Sequence, residues 1–171
     1  MPAVSFRTYV PPFDGGFPPD IQLFRRAMKL HYVDYYPELV RYGDSELKPG
    51  EICLETAQEQ GTKVAGEVFS SPRESWPDGI VIGDDMMTAG ALRQLQVLGI
   101  KPGVDIKIAS HANRESSVLY GYENEITLVE YDPMEIALML FETAGTIISS
   151  EQRCDDFIVV KPKVRTALIT A

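Results

Sequence analysis

Apolar positions along this chain follow two rhythms. Short runs of aliphatic residues alternate with longer stretches in which apolar positions recur every three or four residues. The segment Pro77 to Ile100, PDGIVIGDDMMTAGALRQLQVLGI, shows both. Ile80, Val81 and Ile82 predict a buried strand that stops at Gly83, exposes Asp84 and Asp85, and enters an amphipathic helix from Met86 to Leu98. Val4 to Val10 predicts a strand at a sheet edge, and Leu39 to Tyr42 a short one closed by Gly43-Asp44. Val104 to Ala109 and Ile126 to Val129 predict buried strands, with Phe157 to Val160 and Val164 to Ile169 as terminal β segments. A helix starts at Asp20 as N-cap, with Ile21, Phe24 and Met28 on one stripe and Leu23, Ala27 and Leu30 beside it. Lys48 to Phe69 reads as helix with Gly61 as a weak point. Asp132-Pro133-Met134-Glu135 starts another helix that reaches Ile148 and buries Ile136, Leu140 and Ile147.

Between these elements, Pro11 to Asp20 is rich in Pro and Gly and cannot continue a ladder or a helix, so it forms a loop or arm. Its Phe13 and Phe17 would pin it to the body or to a partner. Ser70 to Asp78 is turn material in which Trp76 seals a core edge. His111 to Gly121 is polar and irregular, with a short extended piece at Val118, Leu119 and Tyr120. Strands that alternate with helices predict an α/β fold: a mostly parallel sheet, helices on both faces, right-handed connections. The organisation expected is an N-terminal strand and arm over residues 1–19 and a single lobe over residues 20–171. A chain of 171 residues suits one such domain.

Composition narrows the function. Sixteen Lys and Arg against 25 Asp and Glu give a net charge of -9, which repels phosphate backbones and argues against direct contact with nucleic acid. No run of eighteen apolar residues occurs, so no ordinary membrane-spanning helix is expected. The start of the sequence lacks a basic region followed by an apolar stretch, so a cytoplasmic location is expected. Cys53 and Cys154 are far apart, with no CxxC, and reduced thiols are the default.

Candidate chemistry gathers at one end of the sheet. Ligands of open α/β sheets bind outside the carboxyl ends of the strands, where Asp84 and Asp85 stand. Either residue also suits the simpler role of helix cap. His111 follows the strand ending at Ala109 and falls at the same sheet end, where acid–base work or a solvated polar rim would explain it equally. No phosphate-binding loop, GxGxxG, GxSxG or HExxH motif occurs, and no cofactor or metal is called for. On the helix Met86 to Leu98, Met87, Ala91, Leu95 and Leu98 form one apolar stripe, and Ala89, Leu92 and Gln96 a second at an angle to it. A helix packed only on its own sheet needs one stripe. The second fits either a subunit contact or a wide core face.

The run PDGIVIGDDMMTAGALRQLQVLGIKPGVDIKIAS resembles the effector-domain core of the LacI/GalR transcriptional regulators. There a strand ends in an Asn-Asp or similar pair, followed by Met, a small-Gly-Ala step, a helix ending in Leu-Gly, and a turn into the next strand. The order of Phe24 to Met28, Pro37 to Val40, Ile126 to Val129, Pro133 to Ile148 and Phe157 to Arg165 is also similar, so the resemblance spans Asp20 to about Arg165. It implies a periplasmic-binding-protein-like fold of which this chain holds chiefly the C-terminal lobe. It further implies a non-enzymatic regulator that senses a small effector and contacts DNA only through a segment not in this sequence.

Several positions depart from that pattern. Asp20 stands where the family often has a sugar-holding Arg, Asp84 at the Asn-like position, and Ser110-His111-Ala112-Asn113 where Gly, an aromatic and Asp are common. Loss of the Arg and of the Asp at Ala112 removes bidentate anchors for a polar ligand. The ligand then differs from a simple hexose or is absent. The ligand-facing residues the resemblance implies are Asp84, Asp85, His111, Asn113 and Asp20. It places a two-fold homodimer interface at Ala89, Leu92, Arg93, Gln96, Leu119 and Tyr120. A solute-binding protein of a sugar transporter is the alternative, and an enzyme using Asp84, Asp85 and His111 a more distant one.

Overall fold

The computed structural model describes residues 3–7, 19–32, 40–42, 55–150 and 159–168. Among the described residues, six strands form one sheet in the order β2-β1-β3-β4-β5-β6. They are β1 (Ala3–Arg7), β2 (Val40–Tyr42), β3 (Gly79–Ile82), β4 (Lys107–Asn113), β5 (Thr127–Tyr131) and β6 (Lys163–Arg165). The first five pair in parallel, and β6 joins β5 antiparallel with Val129 opposite Val164. Helices α1 (Pro19–Leu30), α2 (Ala57–Val68), α3 (Asp85–Val97) and α4 (Pro133–Ser150) lie between the strands. The mostly parallel α/β architecture expected from the sequence is the one observed.

The chain winds outward from β1 to β2 and then crosses back over β1 to β3. With right-handed crossovers, α1 falls on one face of the sheet and α2 and α3 on the other. On the α2/α3 side, alternate residues point into the core: Ile80 and Ile82 of β3, Ile108, Ser110 and Ala112 of β4, and Leu128 of β5 are buried. Val64 and Ala65 of α2 and Met87, Ala91, Leu92 and Leu95 of α3 close over them.

Helix α2 is opened by a capping box. Thr56 Oγ1 accepts from Glu59 N–H, and Glu59 Oε2 accepts from Thr56 N–H at 2.7 Å. Gly61 does not break this helix. A Cβ there would collide with the Met87 carbonyl, and a Cβ on Gly90 with the Gln58 carbonyl, so the two glycines let α2 and α3 touch backbone to backbone. Thr62 Oγ1 adds a 3.1 Å bond to the Gly90 carbonyl. Helix α3 ends in a Schellman motif: Ile100 N–H reaches the Leu95 carbonyl, Gly99 N–H reaches that of Gln96, and Gly99 takes φ of 71°.

Other expectations need correction. Strand β1 lies inside the sheet, not at its edge, because the chain uses both of its flanks. The strand expected from Val104 begins only at Lys107 and runs on to Asn113. Residues 101–106 form a turn with Val104 exposed and Gly103 N–H bonded to the Ile106 carbonyl. Val118 to Tyr120 are turn residues, not an extended piece. On α1, Met28 is buried as its stripe requires, whereas Ala27 and Leu30 are exposed. Helix α4 starts as expected, with Asp132 Oδ1 accepting from Met134 N–H at 3.0 Å. Its expected buried stripe is not buried: Ile136 is half-covered, and Leu140 and Ile147 are exposed. Trp76 does seal a core edge, edge-on to Phe69 with its indole N–H bonded to the Ser71 carbonyl. The arm with Phe13 and Phe17, both cysteines and Phe157 lie outside the described residues.

Candidate functional site

In this strand order the direction of winding reverses at β1, so the carboxyl ends of β1 and β3 flank the crevice where an open α/β sheet places its ligand. Strand β3 delivers Gly83, Asp84 and Asp85 to that rim. The two carboxylates are not both exposed, as the sequence had implied. Asp84 is half-buried with extended backbone, and its Oδ1 accepts from Met87 N–H at 2.7 Å, which makes it the N-cap of α3. Asp85 is 8% exposed in the first helical turn, where a negative charge complements the helix dipole. Its Oδ2 accepts a long 3.4 Å bond from Ser116 of the loop after β4, and Ser116 Oγ accepts in turn from Val118 N–H.

Beneath Asp84 lies a buried hydroxyl pair. Thr88 Oγ1 is 2.8 Å from the Asp84 carbonyl and 2.7 Å from Ser110 Oγ, which is 2.8 Å from the His111 carbonyl. Two hydroxyl protons serve these three contacts, so one contact at a time goes without a donor. The pair ties the start of α3 to β4 inside the core and fixes the height of the Asp84 turn over the sheet.

The residues expected to meet at this rim are only partly brought together. His111 lies within β4, not beyond it, and alternates to the face away from Ser110 and Ala112. Its ring stacks at a tilt on Tyr131, with centroids 5.4 Å apart. His111 and the buried Asp85 therefore do not share a face, and the acid–base trio of the enzyme reading is not assembled. Asn113 is exposed at the end of β4, on the wall of a cleft of about 440 Å³. Asp20 is in the first turn of α1, which follows the carboxyl end of β1; its side chain lies outside the described residues.

The cleft itself was not foreseen. Ala112, Leu119 and Leu128 form its floor, the loop from Arg114 to Tyr120 one wall, and Glu130 with Arg165 the other. Arg165 Nη2 donates to Glu130 Oε1 at 2.9 Å, and Arg114 Nη1 donates to Asp132 Oδ2 at 2.7 Å. The Arg114 guanidinium, followed by the amides of Met134 and Glu135, holds the Asp132 carboxyl below its ordinary range. The pairing of Glu130 with Arg165 could have been read only after β6 was known to lie antiparallel beside β5.

Of the expected interface residues, Leu92 and Leu119 are buried within the protomer and belong to its own core. The second stripe on α3 is therefore partly core face. Ala89 is half-exposed, and Arg93, Gln96 and Tyr120 are exposed.

The fold is shared with solved LacI-family transcription regulators. The transcriptional regulator CelR in complex with cellobiose superposes with a TM-score of 0.70 at 18% identity, covering 98% of this chain and 46% of that one. A regulatory protein of the LacI family from Chloroflexus aggregans gives 0.71 at 16% identity, covering 98% and 55%. A LacI-family regulator from Lactobacillus casei with bound sucrose gives 0.70 at 13%, covering 98% and 56%. The chain thus spans about half the length of the solved structures it matches. No sequence-family profile and no curated protein matches it.

Proposed function

We propose that this chain is the C-terminal lobe of a LacI/GalR-type effector-sensing domain, a non-enzymatic and dimer-forming part of a cytoplasmic transcription regulator. Its DNA contact lies in a segment outside this sequence. The observation that carries this reading is the correspondence of 98% of the chain with about half of regulators solved with cellobiose or sucrose bound. The doubly wound sheet, which puts Asp84 at the strand ends flanking the switch point, supports it.

The effector is a small polar molecule held at the strand ends, with Asp84, Asn113 and Asp20 as its contacts; His111, turned to the other face of β4 against Tyr131, and the buried Asp85 are left out of that set. Asp84 commits Oδ1 to its helix cap and keeps Oδ2 for a donor on the ligand. Because Ala112 offers no carboxylate, the ligand is bound without the paired oxygens that grip vicinal hydroxyls, which favours a molecule other than a simple hexose. The exposed side of α3 at Ala89, Arg93 and Gln96, with Tyr120, forms the homodimer contact.

A thermal-shift panel of hexoses, disaccharides and nucleobases on the full-length encoded protein tests the ligand. A bound effector raises the melting temperature by mass action, and Asn113→Ala should abolish the rise. A panel that leaves the folded protein unshifted at millimolar concentrations removes the sensing role. Light scattering tests the dimer: Arg93→Glu should lower the mass, and a wild type monomeric at tens of micromolar refutes the contact.

A further inference from the structure

We propose that the buried hydroxyls of Thr88 and Ser110 form a two-way relay that carries a change of charge at Asp84 across to β4, which deepens the sensing role proposed above and rests on it. Thr88 is 0% and Ser110 1% exposed, so water does not reach either side chain. The path is continuous. From the Asp84 carbonyl it is 2.8 Å to Thr88 Oγ1, 2.7 Å on to Ser110 Oγ, and 2.8 Å from there to the His111 carbonyl. Each step has the length of a hydroxyl hydrogen bond.

The supply of protons gives the relay two directions. Either Thr88 donates to Asp84 and Ser110 to Thr88, or Thr88 donates to Ser110 and Ser110 to His111. The remaining assignment, with both hydroxyls pointing outward, sets two oxygen lone pairs against each other at 2.7 Å and is disfavoured. The two rotors therefore turn together, each donor strengthening the next. In the first direction the Asp84 carbonyl receives a second bond beside the one from Thr88 N–H at 3.0 Å. In the second, the His111 carbonyl gains the donor instead.

The charge that biases this choice stands at one end of the path. Asp84 caps α3 with Oδ1, and its negative carboxylate draws the hydroxyl protons toward the Asp84 end. A donor or cation bound at Oδ2 weakens that pull and turns the relay toward His111. Inside a sealed core such a field acts with little screening. His111 follows Ser110 directly and packs its ring against Tyr131 on the opposite face of the sheet. Occupancy of the rim is thereby read in β4 through two rotating hydroxyls, with no backbone movement required.

The carbonyl carbon resonances of Asp84 and His111 in the isotope-labelled full-length encoded protein test the relay, each read from a substitution distant in sequence. Ser110→Ala leaves Thr88 only Asp84 to donate to, so the Asp84 carbonyl should move downfield, the direction of a stronger hydrogen bond. Thr88→Val leaves Ser110 only His111, and the His111 carbonyl should move downfield. A fixed pair that merely braces α3 against β4 would move neither carbonyl that way. Thr88→Ser and Ser110→Thr keep a hydroxyl and should leave both resonances near their wild-type positions. Asp84→Asn stands in for a neutralised rim and needs no effector. It should move the His111 carbonyl downfield in the wild-type background and leave it in place in Thr88→Val. Should Thr88→Val misfold, the same comparison is made in Ser110→Ala. Carbonyls that stay or move upfield in the single variants, or a response to Asp84→Asn that survives loss of a hydroxyl, overturn the proposal. An effector panel without a hit removes the sensing role and leaves the relay result standing.

Discussion

Helices α3 and α4 both follow strands of the same sheet, yet they have opposite fates. Helix α3 is the less apolar of the two and carries Asp85, Thr88, Arg93 and two glutamines, but seven of its residues are buried. Helix α4 has only two charged residues in eighteen and leaves most of its large side chains exposed. Apolar content does not decide burial here. Close approach does: Gly61 and Gly90 bring α2 and α3 to backbone contact, and Gly61, Met87, Gly90 and Ala91 at that crossing are buried. Helix α4 has no such crossing with α2 or α3.

The contrast can be broken at its root. Gly90→Val drives a side chain into the Gln58 carbonyl, which belongs to a helix backbone and cannot step aside. A loss of about 3 kcal/mol or more is expected, read as a drop of roughly 10 °C in calorimetry. A milder version compares two leucines. Leu95→Ala in the buried stripe should lose about 3 kcal/mol in urea unfolding, whereas Leu138→Ala, at concentrations where the chain is monomeric, should stay within about 0.5 kcal/mol. Equal losses would mean that α4 is as well packed as α3.

At the start of α3, Asp84→Ala removes the acceptor for Met87 N–H and should lose about 1 kcal/mol, with Asp84→Asn restoring most of it. The smallest effect concerns pH. Asp105 is held below its ordinary pKa by the Lys101 amide and then Arg73, Asp132 by Arg114, and Glu59 by the Thr56 amide. Depressed carboxylates bind fewer protons folded than unfolded. Their contribution is thus complete above the unfolded pKa of about 4 and fades as pH falls through the lower folded values. The melting temperature should decline slightly below about pH 4, and Asp105→Asn should flatten that decline.

Much of this was legible in the residues, for definable reasons. Ile80 to Ile82, the Asp84 turn and the Asp132-Pro133 helix start are local signals, and the structure keeps them. Gly61 was misleading because a glycine that breaks a helix and one that admits a neighbouring helix look alike until the neighbour is known. Leu92 and Leu119 read as interface because a stripe shows its angle on the helix but not what lies opposite. The floor of the cleft at Ala112 and Leu128, and the position of His111 on the far face of β4, depend on where β4 begins. Val104 and Ile106 suggested a start about three residues too early. The pairing of Arg165 with Glu130 spans strands that only the tertiary fold brings side by side.

Among the described residues, the sheet is bounded on both sides by strands of three residues, Val40–Tyr42 and Lys163–Arg165. Such brief margins offer few free amides and carbonyls, and the second presents two cationic side chains that discourage an approaching ribbon. Growth by strand addition is thereby disfavoured at either border. Helix surfaces, rather than the sheet margins, are then the ground on which a partner would dock.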